Sequence, residues 1–450
     1  MGAMLRRLSH VVLSAAVSPV VQRAVDRTAS EDRSVLEVEL DRPLATQSME
    51  EGRVSPSSSQ CVFAQLSKAL EAVPVHRLRC ALDTKDRLFV VKYKGEQGLD
   101  WGGLYRDALS MAVENLFSMN PEVALFTATP AHRAHEEGTL SGDDQANHVG
   151  ADEAFVPLPV DTDERAISFM RFVGVLMGIS LRFKHFLDFK MHPMVWKLIV
   201  GENPTIQDLE SVDHVVGKQL TRLMAWTPTE DQEGIGAAEG DGDAFRAAFP
   251  NLRFVDPADG RTPLVPEGQE IDVMPDSRQA YARLVLRRYT SHYRAATRAM
   301  REGLSLIVPD RAIAMTSARG LSSLVTGPDV VSVEQLKKHT RNLSGIEETD
   351  CYRFFWQIVE EMSNRERQML IRFAWGRSKL PFGKAGWDPP GRSPIRFQLD
   401  KLRRAPVDSH IESHTCFFQI LLPPSSSVDV LRVKLHESIV NGLRGGMHLL

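Results

Sequence analysis

Cys416 is the side chain in this 450-residue sequence best placed for covalent chemistry. It stands in Ile411-Glu412-Ser413-His414-Thr415-Cys416-Phe417-Phe418-Gln419-Ile420-Leu421-Leu422-Pro423-Pro424. The residues before it are polar. Those after it, Phe417 to Leu422, are apolar except for Gln419 and close on two prolines. A short run of aromatic and branched residues ended by proline predicts a buried strand. The thiol then sits where a polar loop enters a strand: the strand holds the backbone still and the loop leaves the sulfur reachable as a nucleophile. The plainer alternative makes Cys416 the first core residue of that strand, since free cysteines are among the most buried residue types. His414 would share a face with Cys416 if both lay on the strand, and would be unconstrained on a loop. General base and structural residue both stay open for it.

Composition narrows the classes. Hydrophobic residues make up 43% and charged residues 25% of the chain, ordinary for a globular protein. The net charge of -4 predicts no general affinity for nucleic acid or anionic membrane. The basic stretch Tyr281 to Arg301 lacks interleaved aromatic platforms and reads as a solvated helix face. The four cysteines, Cys61, Cys80, Cys351 and Cys416, are scattered with no CxxC pair, which argues against a metal or dithiol site. Sparse cysteines suit a reducing compartment, cytoplasmic or nuclear. No apolar run approaches the roughly 18 residues of a membrane span; Phe172 to Leu181 comes nearest. Its Gly174-x-x-x-Gly178 spacing predicts a close helix contact.

The elements that must position Cys416 follow in chain order. Residues 1–60 read as a mobile extension and linker, acid-free at the start like a faint transit peptide and Ser-rich at 55–59. A helix is predicted over Cys61 to Leu70, a strand over Leu88 to Tyr93, and a helix over Leu104 to Phe117. Between the last two lie four glycines in Gly95 to Gly103, without the spacing of a phosphate loop. Further helices are predicted over Ala166 to Phe183, Val195 to Val200, Thr205 to Met224 and Tyr281 to Arg301. Residues 131–153 and 227–242 read as acidic loops. Gly327-Pro328-Asp329 is a candidate hinge. Ser363 and Glu366 predict a capping box for a helix that stops at Gly376. Strands at Ile395 to Leu399 and Phe417 to Leu422 and a last helix carrying Leu431, Leu435 and Ile439 make the final third a small α/β unit.

Taken in order, the motifs resemble the HECT ubiquitin ligases over roughly residues 60 to 450. They are Gly95-Glu96, Gly98, Asp100, Gly102-Gly103 and Tyr105-Arg106-Asp107; Phe155 to Pro159; Phe172 to Leu181; Asp208-Leu209-Glu210; Val265 to Gly268; Gly376 to Pro381; and His414-Thr415-Cys416-Phe417. Asp107 departs from the family's Glu. Wording such as Arg319 to Gly327 and Thr415 to Pro424 is most similar to the branch carrying RCC1-type repeats, and the short stretch ahead of the domain holds none of those repeats.

The resemblance implies an α+β bilobed domain. A mainly helical N-lobe would span residues 61–326, a hinge 327–329, and a smaller α/β C-lobe 330–450. It implies an E3 ubiquitin-protein ligase that takes ubiquitin from a charged E2 conjugating enzyme as a thioester on Cys416 and passes it to lysines of protein substrates. No cofactor, metal, nucleic acid or membrane span is implied. Thr415 and nearby backbone N–H groups would support the oxyanion, with Asp408 or Glu412 as proton acceptors. Met447 stands where the family uses an aromatic residue four from the end. Docking of the conjugating enzyme would fall within residues 205–300, on Val216, Leu220, Tyr281 and Val285. Two other readings stay open: a scaffold of this shape that has lost transfer, and a cysteine hydrolase, for which the chain lacks the C-G-[SA]-C-[WY] context.

Overall fold

The computed structural model describes residues 14–32, 34–50, 60–80, 87–95, 103–117, 125–136, 155–160, 163–227, 240–328, 330–376, 379–381, 387–388 and 394–444. Most of the glycine-rich stretch 95–103, most of the two acidic stretches, Asp329 and Met447 lie outside them, while helices Pro130–Glu136 and Gly240–Ala248 take up one end of each stretch expected as a loop. The strands are β1 (Glu37–Leu40), β2 (Val90–Tyr93), β3 (Phe126–Ala128), β4 (Phe155–Pro157), β5 (Thr340–Asn342), β6 (Phe397–Lys401), β7 (Glu412–His414) and β8 (Gln419–Leu422). The chain forms two compact units. One takes Met1–Val123, Phe172–Phe189 and Glu302–Leu450; the other takes Ala124–Arg171 and Lys190–Arg301.

Part of the stretch read from sequence as an extension forms regular elements in the first unit. Residues 14–32 and 34–50 are built into it. Helix Ser14–Asp26 buries Val21 and Val25. Arg182 donates to Thr28 Oγ1 at 2.5 Å and to the Ile307 carbonyl at 2.7 Å. β1 pairs in parallel with β2 and turns Val38 and Leu40 inward, the period-2 pattern of a half-buried strand. The low apolar content of residues 26–60 hid this, because four alternating residues are enough to join an existing edge.

Helix Glu164–Phe183 is 20 residues long. Among the described residues it is the one helix long and apolar enough to cross a membrane, and most of it is buried within the protein. It outruns the apolar stretch read from sequence because Arg165, Arg171 and Arg182 sit within it. Gly178 makes the predicted close contact: a Cβ there would lie 2.5 Å from Ile307 Cβ.

The last 120 residues carry their own core. Phe355, Ile358, Leu370, Phe397, Leu399, Ile420, Leu422, Leu431 and Leu435 are all buried together. The sheet runs β5-β6-β8-β7, with β5, β6 and β8 parallel and β7 antiparallel at the edge. Helices Asp350–Glu361, Asn364–Trp375 and Val428–Arg444 contribute to that core. Ser363 and Glu366 form the predicted capping box, and Gly376 ends its helix in the left-handed conformation, φ 73°.

In the second unit β3 and β4 form a small antiparallel pair. Two predicted long helices are each broken in two. The first becomes Ile206–Val212 and His214–Ala225, because Asp213 leaves helical geometry and its side chain accepts from the Val216 N–H. The second becomes Arg278–Ser291 and Arg294–Ile307. Leu252 to Ile271 holds isolated bridges only, Arg253 to Asp272 and Val255 to Pro263.

Candidate active site

The strand expected from Phe417 begins at Gln419. Residues expected as a polar loop form the edge strand β7, paired with β8 through Glu412 to Leu421, Ser413 to Ile420 and His414 to Gln419. Cys416 lies between them in a single turn of 3₁₀ helix, Thr415–Phe417. The reversal needs a left-handed residue, and Phe418 supplies it at φ 53°, ψ 52°. For a non-glycine residue this costs roughly 1–2 kcal/mol. Its ring offsets that cost by stacking on Trp375, centroids 4.4 Å apart, and packing on Phe397 at 5.1 Å. Phe417, by contrast, is 61% exposed beside the cysteine position.

The turn is gripped through its carbonyl oxygens. Gln398 on β6 donates its backbone N–H to the Phe418 carbonyl at 2.8 Å and its side-chain Nε2 to the Phe417 carbonyl at 3.0 Å. Arg106 Nη2 donates to the Thr415 carbonyl at 3.2 Å, and both residues are buried. A hydrogen bond from a charged donor to a buried carbonyl contributes about 1.5–3 kcal/mol.

Arg106 belongs to helix Gly103–Leu116, whose next two turns continue the same seam. Ser110 Oγ donates to the Gly376 carbonyl at 3.2 Å, and Glu114 pairs with Arg372. Spacings of four put Arg106, Ser110 and Glu114 on one helix face. Burial works to lower the pKa of Arg372, but the hydrogen bond and charge of Glu114 outweigh it and raise it. Sequence reading named Arg106 only as part of a motif and passed over Ser110, Glu114, Arg372 and Gln398. A polar row at intervals of four on an otherwise apolar helix was the available signal.

Other expected site residues fall as follows. Thr415 is buried, with its carbonyl held by Arg106. His414 is exposed and its Nδ1 lies 3.1 Å from Gln419 Oε1, its cross-strand partner. Asp408 accepts from the Ser426 N–H, the Ser426 hydroxyl and the Ser425 hydroxyl, which hold its carboxyl below the usual range. It anchors the approach to the last helix and is a poor proton acceptor. Glu412 is exposed on β7.

Val216, Leu220, Tyr281 and Val285 are brought together, but in the core of the second unit with Leu209, Phe245 and Phe254. Helix His214–Ala225 turns Val216 and Leu220 inward and leaves Val215 78% exposed. Among the described residues no cluster of His, Cys, Asp or Glu could hold a metal ion.

The cysteine position thus lies on a tight turn between β7 and β8 whose carbonyls are tied down, in a small α/β module with its own core, within a chain of α+β fold. The chain belongs to the HECT-domain (ubiquitin-transferase) family, whose profile matches residues 110–449. It is 27% identical over 361 residues to the E3 ubiquitin-protein ligase RSP5 of Chaetomium thermophilum, a match covering 80% of this chain and 40% of that protein. It is 28% identical over 436 residues to the E3 ubiquitin-protein ligase HERC2 of Mus musculus, covering 96% of this chain and 8% of that protein. The match to the E3 ubiquitin-protein ligase pub1 of Schizosaccharomyces pombe is 26% identical and covers 80% and 42%. The chain thus spans less than half the length of each of these relatives.

Proposed function

We propose that this chain is an E3 ubiquitin ligase acting through Cys416. The thiolate attacks the carbonyl carbon joining the ubiquitin C-terminus to a conjugating enzyme's cysteine. A new C–S bond forms, and the old one breaks with the conjugating enzyme leaving as thiolate. A substrate lysine amine then attacks the Cys416 thioester, a C–N bond forms, and Cys416 is released as the amine proton passes to solvent or a nearby base. The observation that carries this reading is the turn Thr415–Phe417, raised between two strands and fixed by Arg106 and Gln398.

Under this reading the conjugating enzyme docks on the second unit, through exposed neighbours of the buried quartet such as Val215. The site of action is the cytoplasm or nucleus. The test is incubation with activating enzyme, a panel of conjugating enzymes and ubiquitin, read on a non-reducing gel. A reducible adduct on the wild-type chain that is lost in Cys416→Ala supports the ligase. Free ubiquitin released from chains would point to a hydrolase, and neither product would point to a scaffold.

A further inference from the structure

Arg42 lies far from Cys416 in sequence, yet the fold ties it to the cysteine turn. Its Nη2 donates to Asp107 Oδ2 at 2.9 Å, and its guanidinium lies 3.8 Å from the centroid of the Tyr93 ring. The Tyr93 hydroxyl donates to the same carboxylate oxygen at 3.4 Å. Asp107 follows Arg106 directly on helix Gly103–Leu116. Burial pushes the Asp107 carboxyl up, and the charges of Arg42 and then Arg372 pull it down. A mostly buried carboxylate therefore has two cations in range, one from residues 34–50 and one from the seam that holds the turn.

We infer that Arg42 is a positioning residue for the cysteine turn. It engages Asp107, so that Arg372 stays with Glu114 and Arg106 stays on the Thr415 carbonyl. The inference rests on the reading of Cys416 as the acceptor thiol. The peptide between Thr415 and Cys416 is planar and trans, so a fixed Thr415 carbonyl fixes the Cys416 N–H in the opposite direction. A charged donor on that carbonyl polarises the peptide and strengthens the N–H toward negative charge forming near the cysteine, whether thiolate or tetrahedral oxyanion. Without Arg42, Asp107 is a buried carboxylate short of compensation. It then draws on Arg372, opens the Glu114 pair and loosens the turn. β1 is what delivers Arg42: its pairing with β2 ends at Leu40 opposite Tyr93, two residues before Arg42. The similarity to HERC2 covers 96% of the chain and takes in this segment.

The test is the pH dependence of iodoacetamide alkylation at Cys416 in the full chain, resolved by peptide mass spectrometry. Cys61, Cys80 and Cys351 are buried and report unfolding in the same sample. Arg42→Ala is expected to move the Cys416 midpoint to higher pH and slow alkylation at pH 7 by about threefold, the size of a half-unit change in thiol pKa. Arg42→Ala with Asp107→Asn is expected to recover most of the loss, because the stranded charge is gone. An unshifted Arg42→Ala profile, or a double variant as slow as the single one, overturns the inference. Should Arg42→Ala expose the buried thiols, Arg42→Lys and Arg42→Gln carry the comparison: the lysine keeps the wild-type profile and the glutamine loses it, and equal profiles overturn the idea. No ubiquitin enters this readout. A chain that shows the pattern yet never loads ubiquitin sinks the acceptor reading and leaves the positioning role standing.

Discussion

Phe418 stacks on Trp375 with their planes 14° apart, although its backbone occupies the left-handed region at φ 53°. The ring is 2% exposed, so the strain and the burial sit on one residue. Replacing it separates them. Phe418→Ala loses the ring and keeps the strain, and is expected to cost about 3–5 kcal/mol. Phe418→Gly loses the same ring but relieves the backbone, and should be more stable than the alanine variant by about 1 kcal/mol, the reverse of the usual order of the two residues. Urea unfolding of the three proteins checks this, and an alanine variant at least as stable as the glycine one removes the strain from the account.

Gly327 ends helix Ala318–Thr326 at φ 79°, ψ −173°, a region almost reserved for glycine. A Cβ there would lie 2.7 Å from Phe186 Cγ. Gly327→Ala therefore meets two penalties, roughly 1–3 kcal/mol from the backbone and a steric clash besides. Adding Phe186→Ala, which removes the clashing Cγ and Cδ2, should recover most of the clash when measured against Phe186→Ala alone, and leave the backbone part. Denaturation midpoints of the single and double variants separate the two. A Gly327→Ala chain within about 0.5 kcal/mol of wild type, the range of a neutral surface change, shows that this conformation is not required.

The contrast between these positions and the seam explains what was legible in sequence. The Ser363–Glu366 capping box and the Gly376 stop are local signals within one helix, and sequence showed both. Cys416 was singled out by the change from polar to apolar around it, but the tight turn was not, because a left-handed phenylalanine breaks the local rule and is held by Trp375, 43 positions away in the chain. The break at Asp213 was missed because hydrophobic spacing runs on through it, while the residue's side chain caps the next helix. Arg106 and Thr415 are 309 residues apart, and no periodicity links them. The inward direction of Val216, Leu220, Tyr281 and Val285 follows from the packing of separate helices, which an i,i+4 pair alone does not orient.

His192 caps helix Pro193–Val200, its Nδ1 accepting from the Met194 N–H, a bond that requires a neutral ring. Burial is the largest influence on it and pulls its pKa down to about 4 from 6.5. Unfolded chain then binds more protons than folded chain between those two values, so stability falls as pH drops from about 6.5 toward 4. The loss attributable to this ring between pH 7 and 5 is about 2 kcal/mol. His192→Asn keeps an acceptor without the titration and should lose correspondingly less over that interval. Parallel unfolding curves at pH 7 and 5 decide it, and equal losses in both proteins would assign the acid sensitivity elsewhere.

His414 stands two residues from Cys416, and its geometry argues for a cross-strand role over proton transfer. Nδ1 faces Gln419 Oε1 directly across the β7–β8 pair. Such pairs contribute roughly 0.2–1 kcal/mol. His414→Ala and Gln419→Ala should therefore cost similar small amounts, and the double variant less than their sum, because the two share one interaction. Ubiquitin loading by His414→Ala should stay within about twofold of wild type and keep its pH profile. A general base contributes 10²–10⁴-fold, about two orders of magnitude at the least. A loss of that size with a flattened acid limb would make the imidazole a participant in proton transfer and return the Gln419 contact to the task of holding its tautomer.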